Sequence, residues 1–324
     1  MKQQQFEQLH SEQWALLAHD LEKLENYKTK LDAHAVVNFP QLYRQVCQHL
    51  AIARDRHYTP ALIERLNRLV LDGHQYLYVT RSPLLTRIIE FIAYGFPRAV
   101  RANKGVVFAS ALCFFGSLLG MTFLVYLYDD HALYLLSPGQ LRQVEAMYNP
   151  SAQHWGQPRE ADSDLYMFGF YIRHNISIGF QTFASGLLFA VGSVFYLLFN
   201  GLYIGCIAGH LINKGYNEPF FSFVAGHSAF ELTAIMLAGA AGLKLGLALL
   251  APQRNPRLQA LQQAALSIVP LIYGFFTFFL FAAFIEAYWS SKALLNPELK
   301  YSVGIGLWVI ILLYFSFAGR SHAD

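Results

Sequence analysis

Apolar residues change their spacing along this chain near residue 104, and the change separates two kinds of structure. Before it, apolar positions recur among polar ones at three- and four-residue steps. Trp14, Leu17, Leu21, Leu24 and Leu31 form one such series, the pattern of an amphipathic helix. A second helix is predicted near Pro40 to Arg56. A third begins at Thr59-Pro60, a cap residue followed by proline at the first helical position, and carries Leu62, Leu66, Leu69 and Val70. Ser82-Pro83 repeats that start signal for a fourth, LLTRIIEFIAYGFPRAVRANK. Its apolar body and terminal Arg98, Arg101 and Lys104 suit a helix lying on the inner leaflet.

Beyond residue 104 the apolar pattern becomes continuous. Gly105 to Tyr128 is a run of 24 residues without a charge, enough to cross a hydrocarbon core of ~30 Å. Within it, Gly116 and Gly120 form a small-xxx-small pair that lets another helix approach closely. Asp129 to Arg173 is the one sizeable polar segment. Ser137 is a predicted N-cap with Pro138 following, then a short helix through Met147. The stretch from Asn149 to Pro158 is loop-like, and Tyr166, Phe168, Phe170 and Tyr171 have the character of an interfacial belt.

Ile176 to Ile212 is an apolar run of 37 residues without Lys, Arg, Asp or Glu. As one straight helix it would be ~55 Å long, more than a bilayer needs. It is either two passes turning near Asn200-Gly201 or one long helix kinked or broken there. Further runs are Phe220 to Leu250, Ala264 to Ile285 ending in Glu286, and Tyr301 to Ala318. A single crossing of Ile176–Ile212 gives five spans, with the loop bearing Arg254 and Arg257 outside. A double crossing gives six, with that loop and the C-terminus inside. The positive-inside rule favours six; the short half after Gly201 favours five plus a re-entrant piece. The expected fold is all-α: a polytopic membrane helical bundle of five to six spans. Residues 1–104 form a cytoplasmic or membrane-apposed helical domain and 105–318 the transmembrane domain, with an extracytoplasmic loop at 129–173 and a short tail at 319–324.

Composition supports this class. Of 324 residues, 55% are hydrophobic and only 14% charged, against ~25% charged in a soluble domain. The net charge is +3, and residues 1–104 hold 14 of the 24 Lys and Arg. The segment 129–173 carries Asp129, Asp130, Glu145, Glu160, Asp162 and Asp164 against Arg142, Arg159 and Arg173. This asymmetry puts the N-terminus in the cytoplasm. The opening MKQQQFEQLHSEQWALL lacks the features of a secretory signal, so the first span is expected to act as its own insertion signal. Cys47, Cys113 and Cys206 form neither a disulfide framework nor a CxxC motif.

Few polar residues lie in or beside the apolar runs: His174, Asn175, Gln181, Asn200, His210, His227, Glu231, Lys244 and Glu286. Each is costly in a membrane unless it finds a partner. His227 and Glu231 are the only ionisable residues between Phe220 and Leu243. Their i, i+4 spacing puts both on one helical face about 6 Å apart along the axis. That pair matches part of the zincin pattern, but there is no HExxH, and catalytic zinc takes three protein ligands. The alternative is a His–Glu hydrogen bond that fixes helix packing. Glu286 is a partner for His227 or for Lys244, which snorkels from a span end. Arg173-His174-Asn175 anchors the chain at the interface or lines a cavity. The candidate polar site is therefore His227, Glu231, Asn175, Asn200, Gly201 and Glu286. His227 and Glu231 are the candidate metal ligands, and no cofactor is expected. No GxSxG nucleophile motif, phosphate loop or basic stripe with interleaved aromatics is present, so no nucleic-acid partner is expected.

HNISIGFQTFASGLLFAVGSVFYLLFNGLYIG, FVAGHSAFELTAIMLAGAAGLKLG and AAFIEAYWSS together resemble the stage II sporulation protein M family of bacterial integral membrane proteins. The family's Asn-Asn-Ile opening is matched by His174-Asn175-Ile176, and its Asn-Gly by Asn200-Gly201. Its Pro-His-Gly-x-x-Glu-like motif falls on Ala225 to Glu231, and its late Glu on Glu286. The early Trp, Tyr-Arg and Phe-Pro-Arg elements of non-sporulating members fall on Trp14, Tyr43-Arg44 and Phe96-Pro97-Arg98. The resemblance implies a non-enzymatic membrane scaffold or assembly factor of the cell envelope. In spore formers such a protein works with cell-wall hydrolases; elsewhere relatives are encoded beside a MoxR-type ATPase and von Willebrand A-type proteins. Implied partners are thus membrane lipid, an ATPase or wall enzymes, and a second copy of the chain. Two rivals stand beside this: a transporter or lipid-moving channel built on a helix broken at Asn200-Gly201, and an intramembrane metal-dependent hydrolase using His227 and Glu231.

Overall fold

The structure, a computed structural model, describes residues 2–25, 33–78, 84–150, 161–252, 254–292 and 295–320. Every regular element among them is helical. The chain divides into two compact units, Met1–Arg87 and Ile88–Asp324.

The first unit is built from α1 (Gln3–Glu25), α2 (Ala33–Asp55) and α3 (Pro60–Tyr78). Its core takes Phe6, Trp14, Leu17 and Leu21 from α1, Phe39, Leu42, Val46 and Leu50 from α2, and Leu62 and Leu66 from α3. The predicted apolar stripes are therefore the faces that meet, as burial of one helical stripe requires. α2 starts before Pro40 and runs through it. The predicted positions Leu31, Ser82 and Pro83 lie outside the described residues.

The division falls within α4 (Leu84–Glu90), after which a π-helical turn (Phe91–Gly95) and α5 (Phe96–Ala102) lead into α6 (Lys104–Leu127) of the second unit. Phe96 packs edge-on against Phe278 and Phe315 at 5.5 and 5.3 Å between ring centres. The division between units thus falls before the boundary at 104 that charge suggests, because this aromatic anchor belongs to the bundle core. α7 (Pro138–Tyr148) follows, capped by Ser137 and Gln140 in a reciprocal capping box. Then come α8 (Ala161–Ala184), α9 (Val191–Asn213), α10 (Asn217–Leu250), α11 (Arg257–Ile285, prolonged by a π turn, Glu286–Ser290) and α12 (Pro297–Phe317). The last part of the expected outer loop, 161–173, is helical and belongs to α8.

Two features differ from expectation. The break in the Ile176–Ile212 run lies at Ser185–Ala190, where a short 3₁₀ turn is followed by Phe189 and Ala190 at φ of 51° and 67°. Asn200 and Gly201 sit inside continuous α9. The position of the break is set by packing: Gly186 lies on the backbone of Gly242, and Ser193 Oγ donates to the Thr182 carbonyl at 2.6 Å. The close-approach stripe is also elsewhere. Gly201, Gly205 and Gly209 of α9 face α6 so closely that a Cβ would strike the Phe114, Leu118 and Thr122 carbonyls. Their order shows α6 and α9 running parallel. Gly120 of the expected pair faces open space, and Gly116 meets only its own helix's Leu112.

Successive long helices run back and forth between two ends. Where α6 finishes, Asp129 and Glu145 meet His210 near the end of α9. At the same end Asp164, near the start of α8, pairs with Lys292 beyond α11 at 2.7 Å. At the other end, Arg98 and Arg101 of α5 donate to the carbonyls of Gly319 and Phe315, past and within the last turn of α12. This is the six-helix alternation. Among the described residues five helices, α6, α9, α10, α11 and α12, are long and apolar enough to cross a membrane. α8 alternates with them in direction but is not one of those five, with Asp162, Asp164 and Arg173 in its first half. α10 is central, and its Ala and Gly residues are buried on nearly every side, which lets neighbouring backbones close in.

Candidate functional site

His227 and Glu231 stand one turn apart on α10, as their spacing predicts. His227 is 5% exposed, and its Nε2 lies 3.7 Å from Glu231 Oε2. That separation is wider than a hydrogen bond, so the expected packing bond is not formed. The other ring nitrogen, Nδ1, is 3.0 Å from Ser290 Oγ, which fixes the orientation of the imidazole.

Glu286 and Ser290 bound the π turn that extends α11. The wider π turn returns both residues to the face toward α10, and such turns recur at functional sites. Gly226 makes the approach feasible: a Cβ there would lie 3.0 Å from Trp289 and 3.2 Å from Ile285. One ligand atom each from His227, Glu231 and Glu286 lies within 4.8 Å of the others. Glu286 thus joins His227 and Glu231; Lys244, thirteen residues past Glu231, is on the far reach of α10.

Other side chains close the site. Asn175 is 1% exposed, and its Nδ2 has no hydrogen-bond partner among the described residues. It shares a face of α8 with Tyr171, which packs on Ala283 and Ala287, either side of Glu286. Tyr148, the last residue of α7, stacks edge-on against Phe220 at 5.3 Å. Burial pushes its phenol well up, and the charges of Glu286, Tyr171 and Glu231 push it further. That hydroxyl therefore lies in the field of both carboxylates. Lys300 of α12, also buried, donates to the Ser290 carbonyl at 3.0 Å.

The model of the family described as Stage II sporulation protein M matches residues 107–291, more than half of the 324-residue chain. The chain belongs to the stage II sporulation protein M family. A second model, a domain of unknown function (DUF8413), matches residues 4–79, which nearly coincide with the first compact unit. Comparison with curated proteins and with solved structures finds no match. As a stage II sporulation protein M family member with several long apolar helices, the chain is a multi-pass membrane protein.

Within the family match, the structure brings three of the six expected polar-site residues together, His227, Glu231 and Glu286, and buries a fourth, Asn175, on the face of α8 that carries Tyr171. The other two do not join them. Asn200 donates to the Tyr196 carbonyl of its own helix at 2.7 Å, and Gly201 serves the α6 contact. A side-chain amide can satisfy itself on the second lone pair of a carbonyl one turn back in its own helix, and a glycine has no side chain to contribute. His174 is exposed and stacks on Phe170. Tyr148, Ser290 and Lys300 escape a search for ionisable residues in apolar runs, since they lie outside or at the ends of those runs.

A second cluster sits where α6, α7 and α9 converge. His210, 2% exposed, bridges Asp129 at 2.5 Å and Glu145 at 2.9 Å, and Lys214 reaches Asp129 at 3.1 Å. Burial works to raise the Asp129 carboxyl, but hydrogen bonds from His210 and Lys214 outweigh it and hold the group below the usual range. Lys214 is raised in turn, chiefly by its bond to Asp129. No spacing in the sequence announces contacts across 81 and 65 residues.

Proposed function

We propose that this chain is an assembly component of a bacterial inner-membrane complex, in which the membrane bundle is the anchor and the first unit docks a soluble partner. The observation that carries this is the division of the chain. Residues 1–87 close their own apolar core on three helices, apart from the unit that holds every membrane-spanning helix. A separately folded helical unit beside an anchor is what a docking module requires. For the first unit the partner class is an ATPase, while cell-wall enzymes would meet the segment on the opposite side of the membrane, following the resemblance to envelope proteins of the family.

The orientation in this proposal has the N-terminus in the cytoplasm. Arg98, Arg101, Lys104, Arg254, Arg257 and Arg320 gather at the end where α6 starts, and Asp129, Asp130, Glu145 and Asp164 at the other. The positive-inside rule assigns the basic end to the cytoplasm. The transporter alternative rested on a helix broken at Asn200-Gly201, and α9 is continuous there.

The test is affinity purification from native membranes in mild detergent, comparing the full chain with a version lacking residues 1–87. The expected result is a protein partner recovered with the full chain and absent with the shortened one, while the bundle stays in the membrane. The same partners recovered with both would overturn the docking role of the first unit.

A further inference from the structure

We infer that His227, Glu231 and Glu286 hold a divalent first-row metal ion in the interior of the bundle. Three independent features of the site lead there.

The first is ligand geometry. Zinc-type ions hold imidazole nitrogen and carboxylate oxygen at about 2.0–2.2 Å, which sets neighbouring ligand atoms roughly 3–3.5 Å apart. His227 Nε2 and Glu231 Oε2 stand 3.7 Å apart, and the three ligand atoms all fall within 4.8 Å of one another. Small side-chain rotations close that gap. A direct His–Glu hydrogen bond would have placed the pair closer than 3.5 Å.

The second is the support behind the ligands. A metal-bound histidine holds its second ring nitrogen in a hydrogen bond, which fixes the tautomer and aims the first. Ser290 Oγ does this for His227 Nδ1 at 3.0 Å. The π turn places that serine and Glu286 one turn apart on the same strand of backbone, so a single local distortion supplies a ligand and the brace of another. Asn175, fully buried with an amide nitrogen that has no hydrogen-bond partner among the described residues, shares its face of α8 with Tyr171, which packs on Ala283 and Ala287.

The third is charge. Two carboxylates this close cannot both ionise in an apolar interior without a compensating cation. Lys300 lies behind the site on the Ser290 carbonyl. A divalent ion among the three ligand atoms offsets the charges of the two carboxylates. The ligand set of one imidazole and two carboxylates excludes soft monovalent copper and suits zinc, manganese or ferrous iron. Three protein ligands leave at least one position open, and Glu231 is partly exposed.

The experiment uses the full chain purified in detergent, stripped with a chelator, then titrated with zinc, manganese and ferrous chloride under anaerobic conditions. Metal content is read by mass spectrometry and the ligand sphere by X-ray absorption. The expected result is about one ion per chain in an all N/O shell at about 2.0–2.2 Å. Stoichiometric binding is expected to vanish in His227→Ala and Glu286→Gln, and Ser290→Ala to weaken affinity about tenfold or more. Glu231→Gln and Glu286→Gln are near-isosteric, so helix content and monodispersity verify that they remain folded. His210→Gln, in the second cluster, should leave the stoichiometry unchanged. A folded wild type that takes up none of the three metals overturns the proposal, and so does metal lost with His210→Gln but kept with Glu286→Gln. Binding is read on the isolated chain, so the result does not depend on whether any partner co-purifies.

Discussion

His49 shows how a single side chain in the first unit makes stability depend on pH. It is buried against Trp14, whose Nε1 donates to its Nδ1 at 3.1 Å, and the His10 ring stacks 3.9 Å away. Burial, and then the charge of His10, lower its pKa from 6.5 to about 4. The unfolded chain therefore binds a proton that the folded unit refuses. Stability is complete above pH 6.5 and falls as pH drops toward 4. The loss is at most about 3 kcal/mol. Amide hydrogen exchange of α1 and α2 between those pH values should show it, and His49→Gln should flatten the profile. A profile unchanged by that substitution would mean that another group titrates. Glycines make the opposite kind of residue-scale case, since their role depends wholly on what faces them. Gly205→Val is expected to cost about 1–3 kcal/mol or more by overpacking against α6. Gly120→Ala, facing open space, should stay within about 0.5 kcal/mol. Thermal unfolding in one detergent compares the two, and equal effects would place the α6–α9 contact elsewhere.

At the scale of elements, α7 is the instructive case. Its start is written locally: Ser137, Pro138 and Gln140 form a cap that any eleven-residue helix could carry. Its position is not local, because Glu145 reaches His210 and Tyr148 reaches the intramembrane site. His210→Ala leaves two carboxylates without their shared partner. It is expected to cost about 1–3 kcal/mol and to raise protease cleavage between α6 and α8. The Asp129–Lys214 contact adds a pH window. Asp129 is held low, so its contribution is present above the ordinary carboxylate pKa and lost as pH falls through its folded value. Lys214 is held high, so its contribution is present below its ordinary pKa and lost as pH rises through its folded value. Cleavage that is insensitive to His210→Ala would show α7 held by Phe220 and its apolar neighbours alone.

For the whole molecule, the decisive property is the number of times the chain turns back. The break at Ser185–Ala190 makes α8 and α9 separate, opposed helices and returns the α10–α11 loop to the end where α6 begins. Single cysteines placed at Lys104, Asn255 and Arg320, all exposed, should therefore label from one side of the membrane, and one at Leu133 from the other. Labelling of position 255 from the side of Leu133 would restore the five-span arrangement. The same turning decides the site, because it is the antiparallel return of α11 that sets Glu286 beside α10.

Much of this protein was written in its linear pattern. Amphipathic spacing, cap residues and long uncharged runs determined the helices, their approximate ends and the membrane setting, since these depend on local geometry and on transfer from water. The i, i+4 pair His227 and Glu231 was legible for the same reason, being neighbours on one helix. Tertiary structure alone decided which glycines are contacts, where the Ile176–Ile212 run turns, and that Glu286 and Ser290 converge on that pair. In an apolar run every face of a helix is equally acceptable to lipid. Hydrophobicity then carries no information about which face meets protein, and only close packing between backbones selects one.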